Sequence, residues 1–120
     1  MKFKDQKAIY LQIADFLLEN ILAGQLPPGK RIPSVRDMAV SIQVTTNTTL
    51  RAYNYLQDHD IIFNKRGVGY FLAEDGYEKT QTLKRKIFLK ETVPELFKQM
   101  RLLKIDFSEL EALYRNQKDE

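Results

Sequence analysis

Thr45, Thr46, Asn47 and Thr48, followed by Arg51 and Asn54, gather short hydrogen-bonding groups and one guanidinium into a single stretch. On a helix they would form its first turn and its outward face. Such groups read base edges in a major groove, while the free N–H groups of the helix start meet phosphate. The Glu/Lys pairs that usually solvate an exposed helix are not used there. The competing explanation is a Thr/Asn-rich turn chosen for capping alone. Two further polar sites flank this one. Upstream, Ser34 suits an N-cap and Arg36 falls on the exposed side of the helix it opens. Downstream, Lys65-Arg66-Gly67-Val68-Gly69 combines two cations for phosphate or a minor groove with two glycines that permit positive φ and close backbone approach. An ordinary surface hairpin would want glycine there as well.

Nothing comparable is available for bond-making chemistry. The single histidine, His59, lies near a helix end where the dipole favours it. There is no cysteine, no Walker-type glycine loop and no metal-spaced cluster, so the chain reads as a non-enzyme without a cofactor. Absence of cysteine also removes any disulfide framework, which fits a cytoplasmic protein. No apolar run approaches the length needed to cross a bilayer, so no membrane partner is expected. The start, Met1-Lys2-Phe3-Lys4-Asp5-Gln6, leads into an amphipathic helix rather than a signal peptide.

At 120 residues, 43% hydrophobic and 29% charged, the chain suits one globular core, or a small domain with an appendage. Its net charge of +3 is modest, but residues 30–72 carry 6 basic against 3 acidic side chains. The excess is therefore concentrated around the three polar sites, where it permits phosphate binding without establishing it.

The elements that must hold those sites are legible. Tyr10, Ile13, Ala14, Leu17, Leu18 and Ile21 recur on one side of a first helix, with Ile9 and Phe16 widening the apolar face; Gly24 and Pro27-Pro28-Gly29 end it. After the anchor Ile32 and Pro33, a second helix from about Val35 to Ser41 starts at Ser34, with Asp37 close to the capping-box position. Ile42-Gln43-Val44 makes the turn. A third helix, capped by Thr45, runs to about His59 with Thr49, Ala52, Tyr53 and Leu56 inward. Ile61-Ile62-Phe63 and Tyr70-Phe71-Leu72 then form a hairpin whose tip is Lys65–Gly69. The fold class is mainly α with a small β-wing: a winged helix-turn-helix over residues 1–75.

Asp75-Gly76 marks the boundary to a helical segment, residues 76–120. There Leu83, Ile87, Leu89, Val93, Leu96, Phe97, Met100 and Leu103 recur at mixed three- and four-residue spacing, interrupted at Pro94. The proline either kinks one long helix, the reading favoured here, or begins a second one with Thr92 and Glu95 as its capping box. A last helix is expected from a Ser108/Glu111 capping box, with Phe107 stapled onto Ala112, and the tail from Asn116 to Glu120 frays. These apolar positions exceed what two short helices can bury against each other, so a second copy of the segment is the natural cover.

Four stretches carry a family resemblance: Tyr10-Leu11-Gln12-Ile13-Ala14; Leu26-Pro27-Pro28-Gly29-Lys30-Arg31-Ile32-Pro33-Ser34-Val35-Arg36-Asp37-Met38-Ala39; Asn47-Thr48 with Arg51-Ala52-Tyr53; and Arg66-Gly67-Val68-Gly69-Tyr70-Phe71. In register they resemble the GntR family of bacterial transcription factors and, within it, the short YtrA-like subfamily. The resemblance implies a winged helix that binds double-stranded operator DNA as a homodimer through its C-terminal helices. It further implies a repressor of the kind that often controls operons for ABC-type transporters, and it names no small-molecule effector. Arg36, the start of the third helix and the wing glycines are the contact points it implies. Together with the residue reading, the candidate DNA-binding residues are Ser34 and Arg36; Thr45, Thr46, Asn47, Thr48 and Arg51; and Lys65, Arg66, Gly67 and Gly69.

The sequence departs from the family pattern at four positions. Gln43 and Asp60 stand where glycine is usual, Thr49 replaces a buried β-branched aliphatic, and Val68 replaces a basic residue at the wing tip. Thr49 needs a partner for its hydroxyl, such as a carbonyl one turn back. A winged helix that binds protein instead of DNA would share this fold. Against it, the outward face of the third helix offers only Leu50 and Tyr55 as large apolar anchors.

Overall fold

A computed structural model describes residues 7–117. The opening segment 1–6, read above as a lead into the first helix, and residues 118–120 of the polar tail lie outside the described residues. The chain divides into two compact units, Met1–Lys84 and Arg85–Glu120.

In the first unit, α1 spans Ile9–Leu22 and buries Ile13, Ala14, Leu17, Leu18 and Ile21 as a single stripe. It stops as expected, with Gly24 in the left-handed region at φ +79°. Ile9 and Phe16 remain exposed, at 55% and 45%. Next come α2, Val35–Ile42, and α3, Thr46–Asp58. Their caps form as the sequence indicates: Ser34 Oγ accepts from the Asp37 N–H at 3.1 Å and Thr45 Oγ1 from the Thr48 N–H at 3.2 Å. Between them Gln43 adopts φ 59°, and beyond α3 Asp60 does the same. Both positions where the family favours glycine are thus left-handed, which costs a side-chain-bearing residue about 1 kcal/mol relative to glycine.

Thr49, Ala52, Tyr53 and Leu56 form the buried face of α3. The Thr49 hydroxyl donates to the Thr45 carbonyl at 3.0 Å, one turn back. Tyr53 is the keystone. Its ring is fully buried and meets Tyr70 edge-on at 5.0 Å, and its hydroxyl donates to the Pro33 carbonyl at 2.6 Å. That bond fixes the entry to α2 against the middle of α3. Burial pushes the phenol pKa well above its ordinary value of 10.0, with Tyr70 and Asp37 adding to the shift. The folded state therefore holds this proton more tightly than the unfolded chain. The phenol's contribution is complete below pH 10 and declines as pH rises above it. Tyr53→Phe should cost about 1–2 kcal/mol at neutral pH through the unpaired carbonyl. In urea unfolding, the gap between this variant and the parent should narrow above pH 10; a gap independent of pH would refute the assignment.

The wing differs from the sequence reading in the extent of its strands and tip. β1 is Ile62–Lys65 and β2 is Gly69–Leu72, paired antiparallel so that Lys65 faces Gly69. Ile61 precedes the strand. Lys65 and Gly69, expected in the tip, are instead the last rung of the ladder, and only Arg66-Gly67-Val68 turn. The Val68 N–H closes that turn on the Lys65 carbonyl at 2.8 Å, with Gly67 at φ +77°. An isolated bridge to the free edge of β2 went unread in the sequence. Arg31 bridges Phe71, flanked by Ile32 N–H to Tyr70 O and Gly29 N–H to Leu72 O, both at 2.9 Å.

α4, Gly76–Ile87, begins on the first unit. A Cβ on Gly76 would lie 2.4 Å from Leu72 Cδ1, so glycine here serves close approach to the hairpin base. Thr80 is fully buried, and Leu83 packs on the core formed by α1, α3 and the hairpin.

In the second unit the end of α4 passes through a π turn, Phe88–Thr92, into α5, Val93–Leu103. Backbone angles stay right-handed helical at Ile87, Thr92 and Val93, and the Val93 N–H bonds the carbonyl of Phe88, five residues back. The chain does not break at Pro94, and Thr92 makes no side-chain cap. The widened turn is the local adjustment that accommodates a residue lacking an N–H. The last helix, α6, is Phe107–Asn116, and here the expected cap is wrong. Asp106, not Ser108, is the N-cap: its carboxylate accepts from the Glu109 N–H at 3.0 Å and from the Ser108 hydroxyl at 2.8 Å. These bonds hold its pKa below the usual carboxylate value. With the helix starting earlier, Phe107 is its first residue rather than a staple, and it stays exposed. An aspartate accepts two donors at once where Ser108 would offer one hydroxyl, which explains the shift.

Candidate nucleic-acid interface

The polar sites sit on helix starts that the core holds in fixed relation. α1 and α3 pack on one another, α2 packs on α3, and the Tyr53–Pro33 bond ties the beginning of α2 to α3. Met38 and Ala39 anchor the inner side of α2, while Arg36 stays exposed and without an ion-pair partner among the described residues. Ser34 is half-buried, its hydroxyl engaged as the cap.

At the start of α3 the candidates divide into two kinds. Thr45 and Thr48 are committed to each other: besides the cap bond, Thr45 Oγ1 donates to Thr48 Oγ1 at 2.8 Å. Their hydroxyls are mainly structural, as the capping explanation holds. Thr46 and Asn47 are exposed, and no side-chain bond among the described residues engages them. Capping needs neither. Arg51 is exposed, but its guanidinium lies 4.2 Å from the centre of the Tyr10 ring on α1. A cation over an aromatic face is held at modest cost to its mobility, so Arg51 is oriented before any ligand arrives.

On the wing, Arg66 and Gly67 occupy the exposed turn, with Val68 beside them 48% exposed. Lys65 lies with its ammonium 5.8 Å from the centre of the Phe71 ring, and Phe71 stacks on Phe63 at 5.7 Å. The sequence reading omitted Arg31. No local pattern signalled it, because its bridge to Phe71 joins segments far apart in the chain. The arrangement can bind through hydrogen bonds and charge. Among the described residues no three-residue acidic, histidine or cysteine group could hold a metal ion. No described helix is long and apolar enough to cross a membrane.

Three helices with a capped turn between the second and third, closed by a hairpin, define a winged helix-turn-helix, the architecture of DNA-binding regulators. Comparison with known proteins narrows this. Residues 9–72 match the profile of the bacterial regulatory proteins of the gntR family. The uncharacterized HTH-type transcriptional regulator YhcF of Bacillus subtilis is 37% identical over 109 residues, covering 91% of this chain and 88% of its own. The HTH-type transcriptional repressor YtrA of the same organism is 36% identical over 89 residues, covering 73% of this chain and 67% of its own. Among solved structures, a GntR-family transcriptional regulator from Bacteroides thetaiotaomicron superposes with a TM-score of 0.75 at 44% identity, covering 90% of this chain and 94% of that one. The chain belongs to the GntR family, in its YtrA-like subfamily, and is a transcriptional regulator rather than an enzyme.

Proposed function

We propose that the protein represses transcription by binding a pseudo-palindromic operator as a homodimer. The observation that carries this reading is the pair of helix starts, α2 held at its entry against the middle of α3 by Tyr53 and α3 capped by Thr45. They present Arg36, Thr46 and Asn47 outward with no structural task of their own. Arg36, Asn47 and Arg51 read base edges; Ser34, Thr45 and Thr48 set the helix starts whose N–H groups face phosphate. Residues 1–75 are the DNA-binding domain, and residues 76–120 join two copies, with the first turns of α4 also completing the core. Repression is supported by the name of YtrA, and control of a transporter operon by the subfamily resemblance. Selection of bound sites from a random duplex library, read with the full-length protein, tests the whole reading. A two-fold symmetric consensus is expected, and no enrichment of any duplex would overturn it.

The wing's share is measured separately. Lys65 and Arg66 act through phosphate, so replacing either with alanine should weaken binding to all sequences alike. The slope of log affinity against log salt should fall by roughly one. An unchanged slope in both variants would mean that the wing does not touch DNA.

A further inference from the structure

Gly69 has an unusual neighbour. Gly67 already supplies the turn, yet Gly69 also takes a positive φ, +136°, and a Cβ there would stand 2.8 Å from Arg31 Nε. The missing side chain makes the seat for a guanidinium. Pairing explains how Arg31 arrives. Residues opposite one another in an antiparallel ladder share a face, and Phe71 opposes Phe63 while Gly69 opposes Lys65. Arg31 bridges Phe71 from the other edge, so it joins the same face. Arg31 and Lys65 therefore flank Gly69 from either side, while the Phe63–Phe71 stack lies two rungs from it, the next pair on the same face. Both cations are exposed, and neither has an ion-pair partner among the described residues. Two exposed cations on one face, neither neutralised by a carboxylate among the described residues, make a local positive potential that attracts an anion.

We propose that Arg31 and Lys65 form a clip for one backbone phosphate of duplex DNA, with Gly69 as its floor, so that Arg31 is a further DNA-binding residue. The inference rests on the reading of the protein as a DNA-binding dimer. It also accounts for a wing whose tip carries Val68 in place of a basic residue: the charge sits one rung lower, supplied from the loop before α2. A phosphate contact carries no sequence information, so the clip fixes register and orientation on the duplex.

The test uses the full chain with two 30-base-pair duplexes, the selected operator and a scrambled sequence, over a series of salt concentrations. Arg31→Ala should weaken both duplexes by the same factor and lower the salt slope by about one. Gly69→Ala keeps both charges but unseats the guanidinium. It should weaken binding in the parent and add nothing further in the Arg31→Ala background. If the strained backbone prevents Gly69→Ala from folding, the Arg31→Ala slope decides alone. An unchanged slope, with the parent binding normally, overturns the clip and leaves the functional reading intact. Failure of the parent to bind either duplex overturns both.

Discussion

Replacing Arg36 with alanine is expected to cut affinity for the selected operator roughly 5–150-fold, the equivalent of about 1–3 kcal/mol for an arginine paired to guanine. Binding to a scrambled duplex should change little. Arg36 is exposed at the second residue of α2, and no ion pair or hydrogen bond engages its side chain among the described residues. Its removal therefore leaves the core and both caps in place, and stability should stay within about 0.5 kcal/mol of the parent. Any loss of binding is then a loss at the interface. Arg36→Lys separates fork from charge, because an ammonium cannot make two parallel bonds to guanine and should restore little discrimination. Equal loss on the operator and the scrambled duplex would demote Arg36 to a phosphate contact. Arg51 makes a useful contrast, since Tyr10 already holds it and its replacement disturbs α1 as well as the interface.

What the sequence disclosed follows from the range of each interaction. Periodicity located α1 and the buried face of α3, because a helix stripe is written in residues three and four apart. The caps at Ser34 and Thr45 were legible for the same reason: donor and acceptor lie three residues apart. The family resemblance added that positions 43 and 60 need a left-handed backbone, which glutamine and aspartate conceal. Contacts between distant segments were not legible. The bridge from Arg31 to Phe71, the bond from Tyr53 to Pro33 and the seat of Arg51 on Tyr10 join residues that no local pattern relates. Gly76 looked like punctuation, whereas it allows α4 to approach Leu72. The missed cap at Asp106 is a local error of another kind, since two adjacent capping candidates competed and the one accepting two bonds prevailed.

Removing residues 85–120 should yield a folded monomer that binds the full operator 10²–10⁴-fold more weakly, about the gain that joining two half-site contacts supplies. The cut belongs after Lys84 rather than Asp75, because Gly76 and Thr80 are buried and Leu83 packs on the first unit's core. That core draws its buried residues from Ile13 to Leu72 and needs nothing from the second unit. The second unit has no such core: of its described residues only Met100 is buried. Phe88, Leu89, Phe97, Leu102, Leu103, Phe107, Leu113 and Tyr114 are each 44% exposed or more. Fully burying a side chain of this kind contributes about 1.5–3 kcal/mol, and each of these forgoes a part of that in proportion to its exposure. Two copies related by a two-fold axis would cover one another's apolar surface with one self-complementary contact, the commonest solution for a homo-oligomer. The same axis would then relate two winged helices and set their half-site spacing on the duplex. Sedimentation of the fragment and its affinity for the operator give the result. The full-length double variant Leu103→Glu, Leu113→Glu guards against a cut that disturbs α4, since both positions are 65% exposed and tolerate charge in the monomer. Both proteins should sediment as monomers and show the same weakened binding. A fragment that stays dimeric and binds as tightly as the whole chain would place the dimer contact in the first unit instead.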